Sequence, residues 1–170
     1  LYRKLSSENI EYMEGVYVAN YNCPGQIVIT GETNAVDEAC EKMKEAGAKR
    51  CIHLKVSGPF HSPMLKEAGE KLGEVLETVE IHPFEVPYIT NVTADYVTEP
   101  SNVRQLLKEQ VSSSVLWQQS AERMISDGVD TFIEIGPGKT LTGFLRKINR
   151  SVRGFHIETV EDMEKVLNEL

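Results

Sequence analysis

The stretch from Thr131 to Ile157 constrains the fold more than any other part of the chain. Residues 131–135 are strand-forming and read as a buried strand, Gly136-Pro137-Gly138 breaks the run, residues 140–148 carry helical patterning, and 155–157 form a second short strand. Strand, helix and strand thus alternate here, as in folds built on a parallel or mixed sheet. A last helix is expected from Val160. The same alternation recurs upstream, so the expected class is α/β with a parallel or mixed sheet.

Upstream, residues 16–21 and 26–30 are β-rich and flank Asn22-Cys23-Pro24-Gly25, whose Pro-Gly pair suits a type II turn. Thr33 or Asn34 can cap a helix with Val36, Ala39, Cys40 and Met43 on one side, and Gly47 ends it. Residues 49–56 then read as a third strand. With a helix near residues 6–13, this makes three quarters of a split βαβ unit whose opening strand is missing. Further on, Leu65, Ala68, Leu72, Val75, Leu76 and Val79 form an apolar stripe read as core-facing through four helical turns. Residues 86–92 read as a strand, and 101–110 and 116–126 as helices. There is no internal repeat.

The chain has 170 residues, 41% hydrophobic and 26% charged, the composition of a globular protein able to bury roughly 70% of its unfolded surface. No apolar run is long enough to span a bilayer and no signal-peptide core follows Leu1, so the cytoplasm is the expected location. Three cysteines, Cys23, Cys40 and Cys51, lack disulfide-framework spacing and are expected as reduced thiols; Cys51 and His53 alone make no zinc site. A net charge of −8 argues against general nucleic-acid binding. Between Ile135 and Ile157 there is no acidic residue, while Lys139, Arg146, Lys147, Arg150 and Arg153 are basic. That stretch is either a solvated helix face or a site for a phosphorylated ligand or an acidic protein.

Val56-Ser57-Gly58-Pro59-Phe60-His61-Ser62 places a histidine just past a strand-like run and a Gly-Pro break. His61 is therefore either a catalytic base, a role that imidazole chemistry suits, or an ordinary histidine at a helix entrance. Gly136-Pro137-Gly138-Lys139-Thr140 matches the end of a phosphate loop, but the first glycine of that motif would fall at Ile133, inside the strand. Amides at the following helix start still suit a pyrophosphate or a carboxylate. Ser57, Ser62, Ser126 and Ser151 all lack the glycine two residues before that a nucleophile elbow needs. The chain is either not a serine enzyme or only part of one.

Five motifs taken in series carry a resemblance. Asn20-x-Asn22-x-Pro24-Gly25-Gln26-x-Val28-x-x-Gly31, Gly47-Ala48-Lys49-Arg50, the His61 motif, Gln110 seven residues before Trp117, and Glu134-x-Gly136-Pro137-Gly138-Lys139-x-Leu141-x-Gly143 follow one another from about residue 16 to 150. In this order the chain resembles malonyl-CoA:acyl carrier protein transacylases of fatty acid biosynthesis. The resemblance implies an α/β-hydrolase-like acyltransferase subdomain, here in part over residues 58–170, and a ferredoxin-like small subdomain without its first strand over 1–57. It further implies that the serine nucleophile, the arginine that pairs with the malonyl carboxylate and the oxyanion-hole glutamine precede Leu1. The segment bearing them would be a partner of this chain, which supplies the base His61 and is inactive alone. By the same resemblance the backbone carbonyl of Gln110 orients His61, Asn20 and Asn22 flank the acyl pocket, and Phe60 accompanies malonyl selection. Lys49, Arg50, Arg146 and Lys147 match positions contacting coenzyme A or carrier protein. No resident cofactor is implied: coenzyme A arrives as a thioester, and phosphopantetheine is carried by the acyl carrier protein. The chain departs from the family at Ser112-Ser113-Ser114, where a proline commonly precedes the valine matching Val115. The other readings are a non-catalytic carrier-protein docking module and a degenerate P-loop protein.

Overall fold

A Pro-Gly pair sets the geometry of the first unit in the computed structural model, which describes residues 13–170. Strand β1 (Val16–Cys23) pairs antiparallel with β2 (Gln26–Gly31), and Cys23 faces Gln26 across Pro24-Gly25. Gly25 has φ +78°, the left-handed value that the third position of a type II turn requires. Helix α1 (Thr33–Glu45) follows and lays Ala39, with no exposed surface, against Val16 and Val18. Met13, Tyr21, Ile27, Ile29, Ala35 and Met43 complete this cluster. Burying each valine stabilises by about 1.5–3 kcal/mol. The helix starts one or two residues earlier than expected: Glu32 is the N-cap, and neither Thr33 nor Asn34 caps it. The helix expected near residues 6–13 falls almost wholly on residues 1–12, outside the described residues.

Residues 49–56 are not a strand. Ile52, Leu54 and Val56 are 70%, 56% and 63% exposed, and no strand pairs with them among the described residues. Strand propensity reports a fit to a pleated, half-buried surface, and without a neighbouring strand there is none to fit.

A 3₁₀ turn (Pro63–Leu65) leads into α2 (Lys66–Leu76). The apolar stripe read as core is only partly so: Leu76 is buried, whereas Leu72, Val75 and Val79 are 36%, 60% and 40% exposed. The packed face runs instead through Gly69 and Leu76, against α3 (Val103–Ser112). A Cβ on Gly69 would stand 2.9 Å from the backbone oxygen of Lys108, so the glycine permits near contact of two backbones. Arg104 closes the pair by donating from Nε to Leu76 O at 2.8 Å and from Nη2 to Val79 O, and Lys108 bridges to Glu70.

Between these helices the expected strand over 86–92 is instead a small hairpin, β3 (Tyr88–Thr90) with β4 (Asp95–Val97). Ala94 at φ +54° and the hydroxyls of Thr90 and Thr93, which accept from the Val92 and Asp95 amides, make its turn. After α4 (Trp117–Ser126), strand β5 (Thr131–Ile135), helix α5 (Thr140–Ile148) and strand β6 (Arg153–Ile157) form a parallel crossover, with Ile133 opposite Phe155. Leu145 of α5 is buried against Gly154 of β6. Although read as buried, β5 leaves Ile133 and Ile135 40% and 80% exposed, because β6 is its one neighbouring strand among the described residues. Helix α6 (Val160–Glu169) opens with a reciprocal cap: Thr159 Oγ1 accepts from the Asp162 amide and Asp162 accepts from the Thr159 amide. The described strands thus form three two-stranded sheets, one of them parallel, in a mixed α/β fold. Among the described residues no helix is long and apolar enough to cross a membrane.

Candidate active site

His61 has φ +58°, in the left-handed region that a side-chain-bearing residue rarely occupies. Its neighbours hold it there. Ser62 is fully buried and donates from Oγ to Pro59 O at 2.7 Å, while its own carbonyl accepts from the Leu65 amide at 3.0 Å. The chain is thereby pinned on both sides of the bend, and the imidazole is aimed at the end of α3.

The last carbonyls of a helix have no partner within it. In α3 one of these, Gln110 O, lies 3.0 Å from His61 Nδ1. A carbonyl oxygen can only accept, so Nδ1 carries a proton, and in the neutral ring the lone pair then lies on Nε2. The contact therefore fixes the tautomer that a base acting through Nε2 requires, and does so without adding a charge.

The loop after Gln110 is tied down by its own polar groups. Gln110 Nε2 donates to Ser113 O at 3.1 Å, and Ser114 Oγ donates to Val18 O at 2.6 Å. Val115 N donates to Ala19 O at 2.8 Å and Tyr21 N to Val115 O at 2.9 Å, an isolated parallel bridge between Asn20 and Val115. Ser114, where the resembled family commonly has proline, thus adds a bond that proline could not make. Asn20 is brought to the loop that carries the histidine's partner, and Asn22 lies two residues further along β1, toward the turn. Phe60 is 50% exposed with its ring over Gly58.

The basic residues belong to separate elements. Lys49 and Arg50 are exposed on the segment after α1. Arg146 and Lys147 occupy the last turn of α5 and, with Arg150, line an open basin of about 650 Å³ that reaches Gly143 and Gly154. Lys147 Nζ donates to Gln26 Oε1 at 3.1 Å, joining this end of the crossover unit to the first hairpin.

The glycine loop before α5 already holds an anion, and it is internal. Glu134 accepts from the amides of Leu141 at 3.0 Å and Thr142 at 2.7 Å, and from Thr142 Oγ1 at 2.6 Å. Burial alone would raise the Glu134 carboxyl, but these hydrogen bonds, aided by His156, outweigh it and hold the group below the ordinary carboxylate range. The Gly138 amide points at Glu158, 3.3 Å away. Of the two anions considered from sequence, the carboxylate is the one present, and the phosphate-loop reading loses the amides it needs. In the sequence Glu134 stands only as part of a family motif and Ser114 only as a departure from the family, neither with a role, and Gly69 carries no signal beyond its i, i+4 spacing from Gly73 on a helix. Among the described residues no three His, Cys, Asp or Glu side chains converge on a metal position.

Against known families, residues 3–166 match the acyl transferase domain. The chain belongs to that family. Similar acyl transferases include the malonyl CoA-acyl carrier protein transacylase of Bacillus subtilis, 48% identical over 155 residues that make up 91% of this chain and 49% of the relative. Among solved structures, the malonyl CoA-acyl carrier protein transacylase of Clostridium perfringens superposes with TM-score 0.91 at 44% identity, over 98% of this chain and 53% of the other. A malonyl-transacylase in complex with its type II PKS acyl-carrier protein superposes with TM-score 0.90 at 32% identity, over 96% of this chain and 53% of the other. The chain spans about half the length of the curated relatives it matches.

Proposed function

We propose that this acyl transferase chain supplies the general base of a malonyl-CoA:acyl carrier protein transacylase acting in fatty acid biosynthesis, in the cytoplasm. The observation that carries the reading is the 3.0 Å contact of His61 Nδ1 with Gln110 O. With Nδ1 so occupied, Nε2 takes the proton of a serine hydroxyl as it attacks the malonyl thioester. The coenzyme A thiol leaves with that proton, and an acyl-serine remains. The phosphopantetheine thiol of the carrier protein then repeats the cycle in reverse, giving a ping-pong transfer with no resident cofactor. The serine belongs to a further segment of the protein, because no serine of this sequence stands in a G-x-S-x-G elbow. In the same reading residues 58–170 are part of an α/β-hydrolase-like subdomain and residues 1–57 part of a ferredoxin-like one. Asn20, Asn22 and Phe60 border the acyl group, while Lys49, Arg50, Arg146 and Lys147 receive coenzyme A or the acidic carrier protein.

His61→Ala in the intact transacylase tests this. Loss of a general base lowers transfer by about 10²–10⁴-fold, read with malonyl-CoA and holo carrier protein. Retention of more than about a tenth of the activity at neutral pH, with the fold intact by circular dichroism, would make His61 structural.

A further inference from the structure

Cys40 and Cys51 play no part in the acyl-transfer reading, yet the fold brings them together. Cys40 lies on α1 beside the fully buried Ala39, and Cys51 lies on the segment that returns along the helix after Lys49 and Arg50. Cys51 Sγ donates to the carbonyl oxygen of Cys40 at 3.5 Å. That oxygen is two bonds from Cys40 Cα, so the Cys51 sulfur is brought against the residue with which it would form a disulfide. Both are free and partly buried. Burial first, and then Cys51 and Asp37, push the Cys40 thiol up, while Lys44 beside the two sulfurs pulls it the other way. Cys23 is different: it is 2% exposed and belongs to the first hairpin.

We propose that Cys40 and Cys51 are a redox-sensitive modification site, closed to an intramolecular disulfide by a low-molecular-weight disulfide. The Cys51 thiolate attacks one sulfur of the small disulfide and expels one small thiolate, which leaves a mixed disulfide on Cys51. The Cys40 thiolate then attacks the Cys51 sulfur and expels the second small thiol. Two protein thiols are oxidised, one disulfide is reduced to two thiols, and the two protons pass to the leaving thiolates. The new bond closes the loop that contains Lys49 and Arg50 and fixes it to α1. On the reading of those two residues as carrier-protein contacts, closure alters docking and leaves the chemistry at His61 alone.

The bond and its consequence are tested separately. The intact transacylase is equilibrated with oxidised glutathione, alkylated and mapped by mass spectrometry. The expected product has lost two hydrogens, contains a linked Cys40–Cys51 peptide, keeps Cys23 alkylatable after unfolding, and reverts with dithiothreitol. Cys40→Ser should halt at a glutathione adduct on Cys51. Separate glutathione adducts on Cys40 and Cys51 at equilibrium, or a bond to Cys23, would overturn the site. In the linked protein, KM for the carrier protein should change by at least about threefold with kcat held, and Cys51→Ser should be indifferent to the oxidant. An unchanged KM in fully linked protein would overturn the control of docking. Lys49→Ala with Arg50→Ala, assayed reduced, reports on the docking reading itself, so its failure is distinguishable from failure of the disulfide.

Discussion

Replacing Gly69 by alanine sets two opposing effects against each other at the contact that positions the base. An alanine inside a helix is favoured over glycine by about 0.8–1 kcal/mol. At Gly69, however, the added Cβ would meet Lys108 O at 2.9 Å, and a backbone oxygen cannot turn aside. The two helices must separate by a few tenths of an ångström, and overpacking of this kind costs about 1–3 kcal/mol. The net expectation for Gly69→Ala is a loss of about 0–2 kcal/mol. Gly73 provides the control, one helical turn away on the same face. Its Cβ would meet Lys108 Cδ at 3.0 Å, the end of a flexible side chain that can move at little cost, so Gly73→Ala should be neutral or stabilising by up to about 1 kcal/mol. Urea unfolding followed by circular dichroism gives both values. The displacement has a second readout, because Lys108 lies two residues before Gln110 on α3: Gly69→Ala should lower kcat of the intact enzyme, and Gly73→Ala should not. A Gly73 variant less stable than the Gly69 variant would refute the argument that the kind of atom contacted decides the outcome.

Glu134 gives a pH prediction with a definite sign. Its carboxyl is held below its ordinary value in the folded protein, so its contribution is present above the unfolded value, near pH 4.3, and is lost as pH falls through the lower folded one. Glu134→Gln should flatten the acid limb of stability below the unfolded carboxylate value, and Glu134→Ala should cost about 0.5–2 kcal/mol at neutral pH through loss of its bonds to the first-turn amides; an unchanged acid limb in the glutamine variant would remove Glu134 as a contributor to it. Reversing Arg146 and Lys147 to glutamate should raise KM for the acidic carrier protein and flatten its salt dependence, since exposed charges act within about 10 Å at 0.1 M salt. Identical kinetics across a salt series would return them to an ordinary solvated helix end. Phe60→Ser in the intact enzyme should shift kcat/KM toward methylmalonyl over malonyl thioesters, by at most the 10–200-fold that one methylene is worth; a competition assay showing no shift would mean that the ring only packs over Gly58.

The parts of the fold that could be read from sequence were those specified locally. Strand β5 and helix α5 have the expected bounds, and α6 begins as expected at Val160, because strand-forming runs, a glycine break and helical periodicity all lie within a few residues of each other. What failed depended on a distant partner. Ile52, Leu54 and Val56 have strand propensity but no strand to pair with among the described residues, and Leu72 and Val75 were read as core because hydrophobicity hides that a glycine face packs closer. The candidate site divides the same way. His61 stood out by its Gly-Pro context, but every residue has a backbone carbonyl, so nothing in the residue types could select Gln110, 49 positions away; only family resemblance located it. The fifth motif contains Glu134 but gives it no role, because a carboxylate in a strand is usually solvent-facing and its function here depends on amides seven and eight residues later.

The two backbone hydrogen bonds that join β1 to Val115 do not depend on side-chain identity. The first hairpin is therefore spliced to the loop behind the histidine by a joint that tolerates sequence drift on either side. Natural variation can rewrite the side chains of β1, Asn20 and Asn22 among them, or exchange the whole hairpin for that of a relative, while the carbonyl beside the imidazole stays in place. On the proposed reading of His61 as base and of Asn20 and Asn22 as acyl-pocket residues, substrate preference and proton transfer can then diversify on separate schedules within one inherited frame.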